Sequence, residues 1–280
     1  MLEPQQGATY DQQLAIAQAA EGAGFDGFFR SDHLMRFDQE DPGPGPTESW
    51  VTLAGIARET SRIRLGTMVT SMTFRFPGML AVEVAQVDDM SGGRVELGLG
   101  AGWFDPEHHA HAVPFPPLGQ RFEMLEETLQ MANQMWSGGR GSEGRHEGKQ
   151  FIATRLLNSP QAISRPRVPI MIGGGGEQKT LRLVAQYADA TNVFGGPDRI
   201  RHKYAVLREH CDRLGRPYDE IERSTLQGID LERDSPAQVV DWFGQLGDAG
   251  AQHVIASVRG VASLTPLERI GAEVIPQLRS

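Results

Sequence analysis

Asp32 and His33 stand directly after the run Gly24-Phe25-Asp26-Gly27-Phe28-Phe29-Arg30, which reads as a strand feeding a loop. An imidazole at a strand end can take or give a proton near neutral pH, and a carboxylate beside it could tune or orient the site. Taken alone, the pair suits a solvated loop better, with Asp32 capping a turn. A second feature is Gly92-Gly93-Arg94-Val95-Glu96-Leu97-Gly98-Leu99-Gly100-Ala101-Gly102-Trp103, a turn and strand ending in alternating glycines and a large aromatic. Glycine where a strand meets a loop lets a flat ligand approach the backbone. A third is the run Gly173, Gly174, Gly175 and Gly176 after Val168-Pro169-Ile170-Met171-Ile172. Its free N–H groups, at what reads as a helix start, suit an anion such as phosphate. It lacks the Lys-Ser/Thr ending of a triphosphate loop and the spacing of a dinucleotide fingerprint. Two such strand ends in one chain point to a cofactor site built on loops, and so to an enzyme.

Other residues carry less. Thr70 and Ser71, at a further strand end, could bond a ligand or only satisfy the turning backbone. Glu107-His108-His109-Ala110-His111 has metal-ligand residue types, but Pro106 and Pro114 bracket it and argue against a rigid helix; no metal is expected. Arg199, Arg201, His202 and Lys203 read as the wet face of a helix that could also meet an acidic cofactor tail.

These groups need a frame that brings strand ends together. Apolar strand-like runs recur at 26–30, 63–70, 94–100, 168–173, 188–194, 223–230 and 252–258, with helical periodicity between them. Phe122, Leu125, Leu129, Ala132 and Trp136 make one helical face, and helices are expected at 10–21 and from Thr47. Ser235-Pro236-Ala237-Gln238 and Thr265-Pro266-Leu267-Glu268 read as capping boxes. A short first strand at residues 1–4 makes the units eight, implying a single-domain α/β (β/α)8 TIM barrel over 1–280. An open doubly wound sheet is the competing topology. Residues 137–167 read as an insertion with a small hairpin near 146–152. The 280 residues can bury a sizeable core, and a net charge of -9 argues against nucleic acid. No apolar run spans a bilayer, no signal segment leads the chain, and the only cysteine, Cys211, suits a buried site in a reducing cytoplasm.

In order, Ser-Asp-His-Leu, Thr-Ser-Met-Thr-Phe-Arg-Phe-Pro and Ser-Gly-Gly-Arg-Val-Glu-Leu-Gly-Leu-Gly-Ala-Gly-Trp-Phe resemble the bacterial luciferase-like flavin monooxygenase family. The match is to the branch using the deazaflavin coenzyme F420. Pro114-Phe115-Pro116-Pro117-Leu118-Gly119-Gln120-Arg121-Phe122 and Pro169-Ile170-Met171-Ile172 extend it along the chain. The resemblance implies a barrel oxidoreductase moving hydride between cofactor and a small organic substrate, and a homodimer. It places His33 near the ring as a proton relay, with Asp32 beside it. It places a non-proline cis bond at Met68 and Val69, and Thr70 and Ser71 at the ring's pyrimidine end. Gly100, Ala101 and Gly102 would line the tail; Gly173, Gly174, Gly175 and Gly176 the phosphate; Phe194 a further phosphate-side position. Trp103 stands where sugar-oxidising members carry a catalytic glutamate, which argues against sugar-phosphate oxidation. The alternatives are an FMN monooxygenase fed by a separate reductase, and a barrel that binds cofactor without turnover.

Overall fold

Helix and strand alternate over most of the chain, and several helices start on a side-chain cap or a first-turn proline. The computed structural model describes residues 1–37 and 46–278. Helix α1 (Tyr10–Gly22) opens on a capping box between Thr9 and Gln12 and leads into β1 (Gly27–Arg30). Then follow α2 (Ser49–Glu59), β2 (Arg64–Thr67) and β3 (Thr70–Ser71). Helix α3 (Pro77–Ser91) begins on its proline and ends at Gly92 in the left-handed region, before β4 (Val95–Gly100). Two helices come next, α4 (Asp105–Ala110) and α5 (Leu118–Ser137). An antiparallel pair, β5 (Glu143–Glu147) and β6 (Ile152–Leu157), forms a separate two-stranded sheet where the insertion was expected. The chain returns through β7 (Ile170–Gly173), α6 (Thr180–Tyr187), β8 (Ala190–Phe194) and α7 (Pro197–Leu214). It finishes with β9 (Glu222–Ile229), α8 (Pro236–Asp248), β10 (His253–Val258), α9 (Thr265–Glu273) and α10 (Ile275–Leu278).

The main sheet runs β1-β2-β4-β7-β8-β9-β10, parallel throughout, with β3 also on β4. It curls. Phe29, Met171, Ala190 and Ile255, from strands across its width, pack together with Met68, which follows β2, on the concave side. The larger core lies between the convex side and the helices, with Leu53, Ile56, Leu65, Leu97, Leu129, Ile170 and Val184 fully buried. Cys211 is buried in α7, as its apolar setting suggests. No helix among the described residues is long and apolar enough to cross a membrane.

Four expectations need correction. The first strand shrinks to Leu2, which makes an isolated parallel bridge to Arg30; Pro4–Gln6 is already a 3-10 turn. The strand expected over 63–70 breaks at Met68 and Val69, so Thr70 and Ser71 pair separately. The box at Thr265 does not form: Leu264, at φ 64°, takes the cap position and has no side-chain acceptor, whereas Ser235 and Gln238 do form theirs. Helix α2 is capped by Glu48, while the Thr47 hydroxyl and carbonyl instead hold Arg30. Beside Leu2, a cavity of about 330 Å³ lies between β1 and β10, lined by Phe25, Phe28, Phe243, Ile270 and Val274 among others. None of the candidate site residues lines it.

At the amino ends of the strands, Arg64, Glu96, Glu222 and His253 form a partly buried charge cluster, with His253 Nδ1 3.1 Å from Glu222. Burial pushes the Glu96 carboxyl up to about 7, Arg64 opposing and Glu222 adding to the effect. Folded protein therefore holds this proton more tightly than unfolded chain. The stabilisation is full below the ordinary carboxylate range and is lost as pH rises towards 7. The shift is worth about 3 kcal/mol. Glu222, held down to about 2 chiefly by His253, loses its contribution only in stronger acid. Urea unfolding at about pH 5 and about pH 8 should therefore show Glu96→Gln keeping stability that the parent protein loses. Equal losses in the two proteins would contradict the assignment.

Candidate active site

Because the main strands are parallel, the segments after β1, β3, β4, β7 and β8 gather at one edge of the curled sheet. His33 leaves β1 into this edge, and its Nδ1 lies 2.9 Å from Glu107 Oε1. The other carboxylate oxygen of Glu107 accepts the Leu34 amide at 2.8 Å. Glu107 is 2% exposed and sits in the first turn of α4, where the helix dipole favours a carboxylate. That helix corrects the reading of 107–111 as a loop: Pro106 occupies the first turn, where a missing N–H costs nothing. A carboxylate on Nδ1 favours the proton there and leaves Nε2 as the unprotonated nitrogen.

Asp32 does not orient His33. Its carboxylate takes Arg75 at 2.6 and 3.2 Å, and Glu48 and Glu83 also contact that guanidinium. Burial alone would lower the Arg75 pKa, but Asp32 and Glu48 more than reverse it and keep the group charged. Arg30, fully buried, bonds Gln13, Thr47 and the Ser31 carbonyl, while the Ser31 hydroxyl donates to Gln5 at 2.6 Å. The loop carrying His33 is thus anchored by buried polar groups on both sides.

The Met68–Val69 peptide is cis. Val69 is half-buried, and its methyls lie where side chains on Gly100 or Gly173 would otherwise stand, at 2.7 and 2.8 Å from the positions of such Cβ atoms. Those glycines admit Val69, not a ligand directly, and Val69 becomes the apolar floor of the site. Gly102, at φ 76°, makes the same allowance for the Ser71 hydroxyl. Thr70 is consumed by the protein: it accepts from Trp50 at 3.1 Å and donates to Thr67 at 3.1 Å. Ser71 joins Thr73, whose hydroxyl is 2.6 Å from His108 Nε2. Arg121 holds the loop by bonding the carbonyls of Ala101 and Gly102 and lying 3.9 Å over Phe115.

On the far side of β7, Gly174 is at φ 120° and gives its amide to the Asn192 carbonyl at 2.9 Å. Helix α6 starts only at Thr180, so the glycine run is a loop ahead of the helix and not its first turn. The Gly175 and Gly176 amides meet no protein acceptor among the described residues. Lys203 lies alongside, its aliphatic chain 3.5 Å from the place of a Gly175 Cβ and its ammonium 2.6 Å from Glu177. His202 shares Glu177 at 3.0 Å, and Arg201 pairs with Asp198. Arg199 is exposed beside Gly195, and Phe194, at the end of β8, is 48% exposed. Asn192 Oδ1, buried under this edge, has no partner among the described residues. Among those residues, no three of His, Cys, Asp and Glu gather as metal ligands.

The sequence reading missed Glu107 and Arg75, both present in stretches it had singled out. It also missed Phe37 and Phe104, whose rings flank His33 at 4.6 and 6.0 Å between centroids.

A family profile described as luciferase-like monooxygenase matches residues 2–264. An F420-dependent glucose-6-phosphate dehydrogenase from Nakamurella multipartita is 30% identical over 81% of this chain and 65% of its own length. An F420-dependent hydroxymycolic acid dehydrogenase from Mycobacterium tuberculosis is 35% identical over 93% of the chain and 70% of its own. Among solved structures, the coenzyme F420-dependent tetrahydromethanopterin reductase of Methanopyrus kandleri superposes with a TM-score of 0.80 at 20% identity, covering 99% of this chain and 97% of that one. With that match running along nearly all of the sequence, and with the strand-end site just described, the chain belongs to the luciferase-like monooxygenase family.

Proposed function

We propose that this protein is an oxidoreductase that moves a hydride between the deazaflavin coenzyme F420 and a small organic substrate. The observation that carries this is one strand-end face holding both the His33–Glu107 pair and the open amides of Gly175 and Gly176 beside Lys203. The residues fit such a cofactor. Val69 offers a flat apolar floor for a ring, the open amides beside the Lys203–Glu177 pair offer an anion cradle for its phosphate, and exposed Arg199 lies near for an acidic tail. When bound, the deazaflavin supplies two-electron hydride chemistry. The protein's part is to position and shield the ring and to move a proton at His33 Nε2. Glu107 holds the imidazole, and Asp32 supports the loop through Arg75. Met68, Val69, Ser71, Gly175 and Gly176 are the side of the site we assign to the cofactor, with Phe194 at its rim; Trp103, expected among the cofactor residues, packs beside His33 and is left to the substrate side.

We read the curled sheet as a (β/α)8 barrel, a reading supported by Met1 and Leu2, which bond Ala256 and Phe29 between β10 and β1. We place the enzyme in the cytoplasm as a homodimer, following the family resemblance and the single buried thiol.

Titrating apoprotein with coenzyme F420 and with FMN, at low and high salt, tests the reading. Tighter binding of the deazaflavin, weakened by salt, is expected. Gly175→Val, which meets only the flexible end of Lys203 at a residue without positive φ, should fold and bind the cofactor at least tenfold more weakly. Preference for FMN without any salt effect on the deazaflavin would favour the monooxygenase reading instead.

A further inference from the structure

The His33 imidazole is ringed by aromatic side chains. Phe37 meets it edge-on at 4.6 Å, Trp103 at 5.5 Å and Phe104 at 6.0 Å. The three also contact one another, each pair 5.2 Å apart. Such a cluster would be unremarkable in a core, but Trp103 is 64% exposed and Phe37 36% exposed. Exposed, mutually packed rings around a proton-transfer group form a wall open to a ligand.

The charges behind this wall decide what kind of ligand it suits. Arg75 is held by Asp32, Glu48 and Glu83, Arg121 by the carbonyls of Ala101, Gly102 and Pro116, and Arg30 by Thr47, Gln13 and Ser31. Arg36, in the same loop, is also engaged. Residues 38–45, which follow Phe37 and lie outside the described residues, read Asp-Gln-Glu-Asp-Pro-Gly-Pro-Gly and add no cation. Glu107, held on His33 Nδ1, would repel an anion. Among the described residues these cations are all engaged, whereas three rings offer apolar faces at this wall.

We infer that the substrate is uncharged and apolar, stacked on Phe37, Trp103 and Phe104, with one polar oxygen reaching His33 Nε2. Trp103 sets this specificity. The inference rests on the oxidoreductase reading for what happens next, but binding at the wall can be measured apart from it.

Isothermal titration calorimetry with acetophenone, as a flat uncharged probe, and glucose 6-phosphate, as a charged one, provides the test on apoprotein and on F420-loaded protein. Acetophenone should bind with a negative heat-capacity change, and glucose 6-phosphate should bind at least tenfold more weakly or not at all. Trp103→Ala should weaken acetophenone at least tenfold and Trp103→Phe should restore most of the loss, while coenzyme F420 affinity stays within twofold in both. Trp103 is exposed, so neither substitution empties a core. Absence of acetophenone binding, tighter binding of glucose 6-phosphate, or unchanged acetophenone affinity in Trp103→Ala overturns the inference. So does a loss of F420 affinity in Trp103→Ala, which hands the wall to the cofactor. If the parent protein binds acetophenone as expected but never binds F420, the oxidoreductase reading fails and the apolar site stands.

Discussion

Glu107→Gln should lower kcat about a hundredfold and His33→Ala by about a hundredfold or more, with cofactor affinity nearly unchanged in each. The imidazole gains from Glu107 both a fixed tautomer and compensation for the positive charge it takes on when Nε2 is protonated. Glutamine keeps the shape but has one acceptor oxygen for the two donors: if it keeps the Leu34 contact, its amide N–H faces His33 Nδ1, so both the fixed tautomer and the charge are lost. Glu107 is a positioning residue, so its signature lies in a split of constants: kcat should fall while KM and cofactor affinity stay nearly unchanged. Glu107→Asp should recover part of the rate. Parallel losses of kcat, KM and cofactor affinity would reduce Glu107 to a prop for the loop.

The second large effect concerns stability. Arg75→Met should cost about 3–5 kcal/mol, because Asp32 is 1% exposed at its side chain and would keep a buried charge without its cation. Arg30 cannot substitute, since its guanidinium is already committed to Gln13, Thr47 and Ser31. Chemical denaturation measures the loss directly. The double variant Asp32→Asn with Arg75→Met should recover much of it, since the uncompensated carboxylate is then gone. A loss under about 1 kcal/mol in the single variant would show that water reaches Asp32.

Much of the frame was legible because parallel strands covered on both faces read as apolar runs, and turn residues punctuate them. The alternation, the inserted hairpin, α5 and the box at Ser235 follow from such local signals. Local signals failed where tertiary contacts decide. Thr70 could be read locally either as a ligand-facing hydroxyl or as one that satisfies the turn, and only its bonds with Trp50 and Thr67 set its direction. Gly100 and Gly173 signalled a close approach correctly, but the approaching group is Val69. The strand-end position of His33 by itself suits a solvated loop residue, and only the family resemblance singles it out; its partner lies 74 residues away. Only the meeting of two strand ends makes Glu107 its neighbour, and Asp32, adjacent in sequence, turns to Arg75 instead. Helix α4 was disfavoured by proline, although proline in a first turn is a helix start signal.

The central claim is hydride transfer with His33 as the proton-transfer group, and anaerobic stopped-flow absorbance tests it most directly. Reduced coenzyme F420 bound to the protein would be mixed with a panel of uncharged apolar carbonyl compounds, and the return of the oxidised deazaflavin absorbance followed. The account predicts substrate-dependent oxidation without oxygen, at least a hundredfold slower in His33→Ala at equal cofactor occupancy. Tight cofactor binding with no substrate-dependent oxidation, or equal rates in the parent protein and His33→Ala, would contradict it.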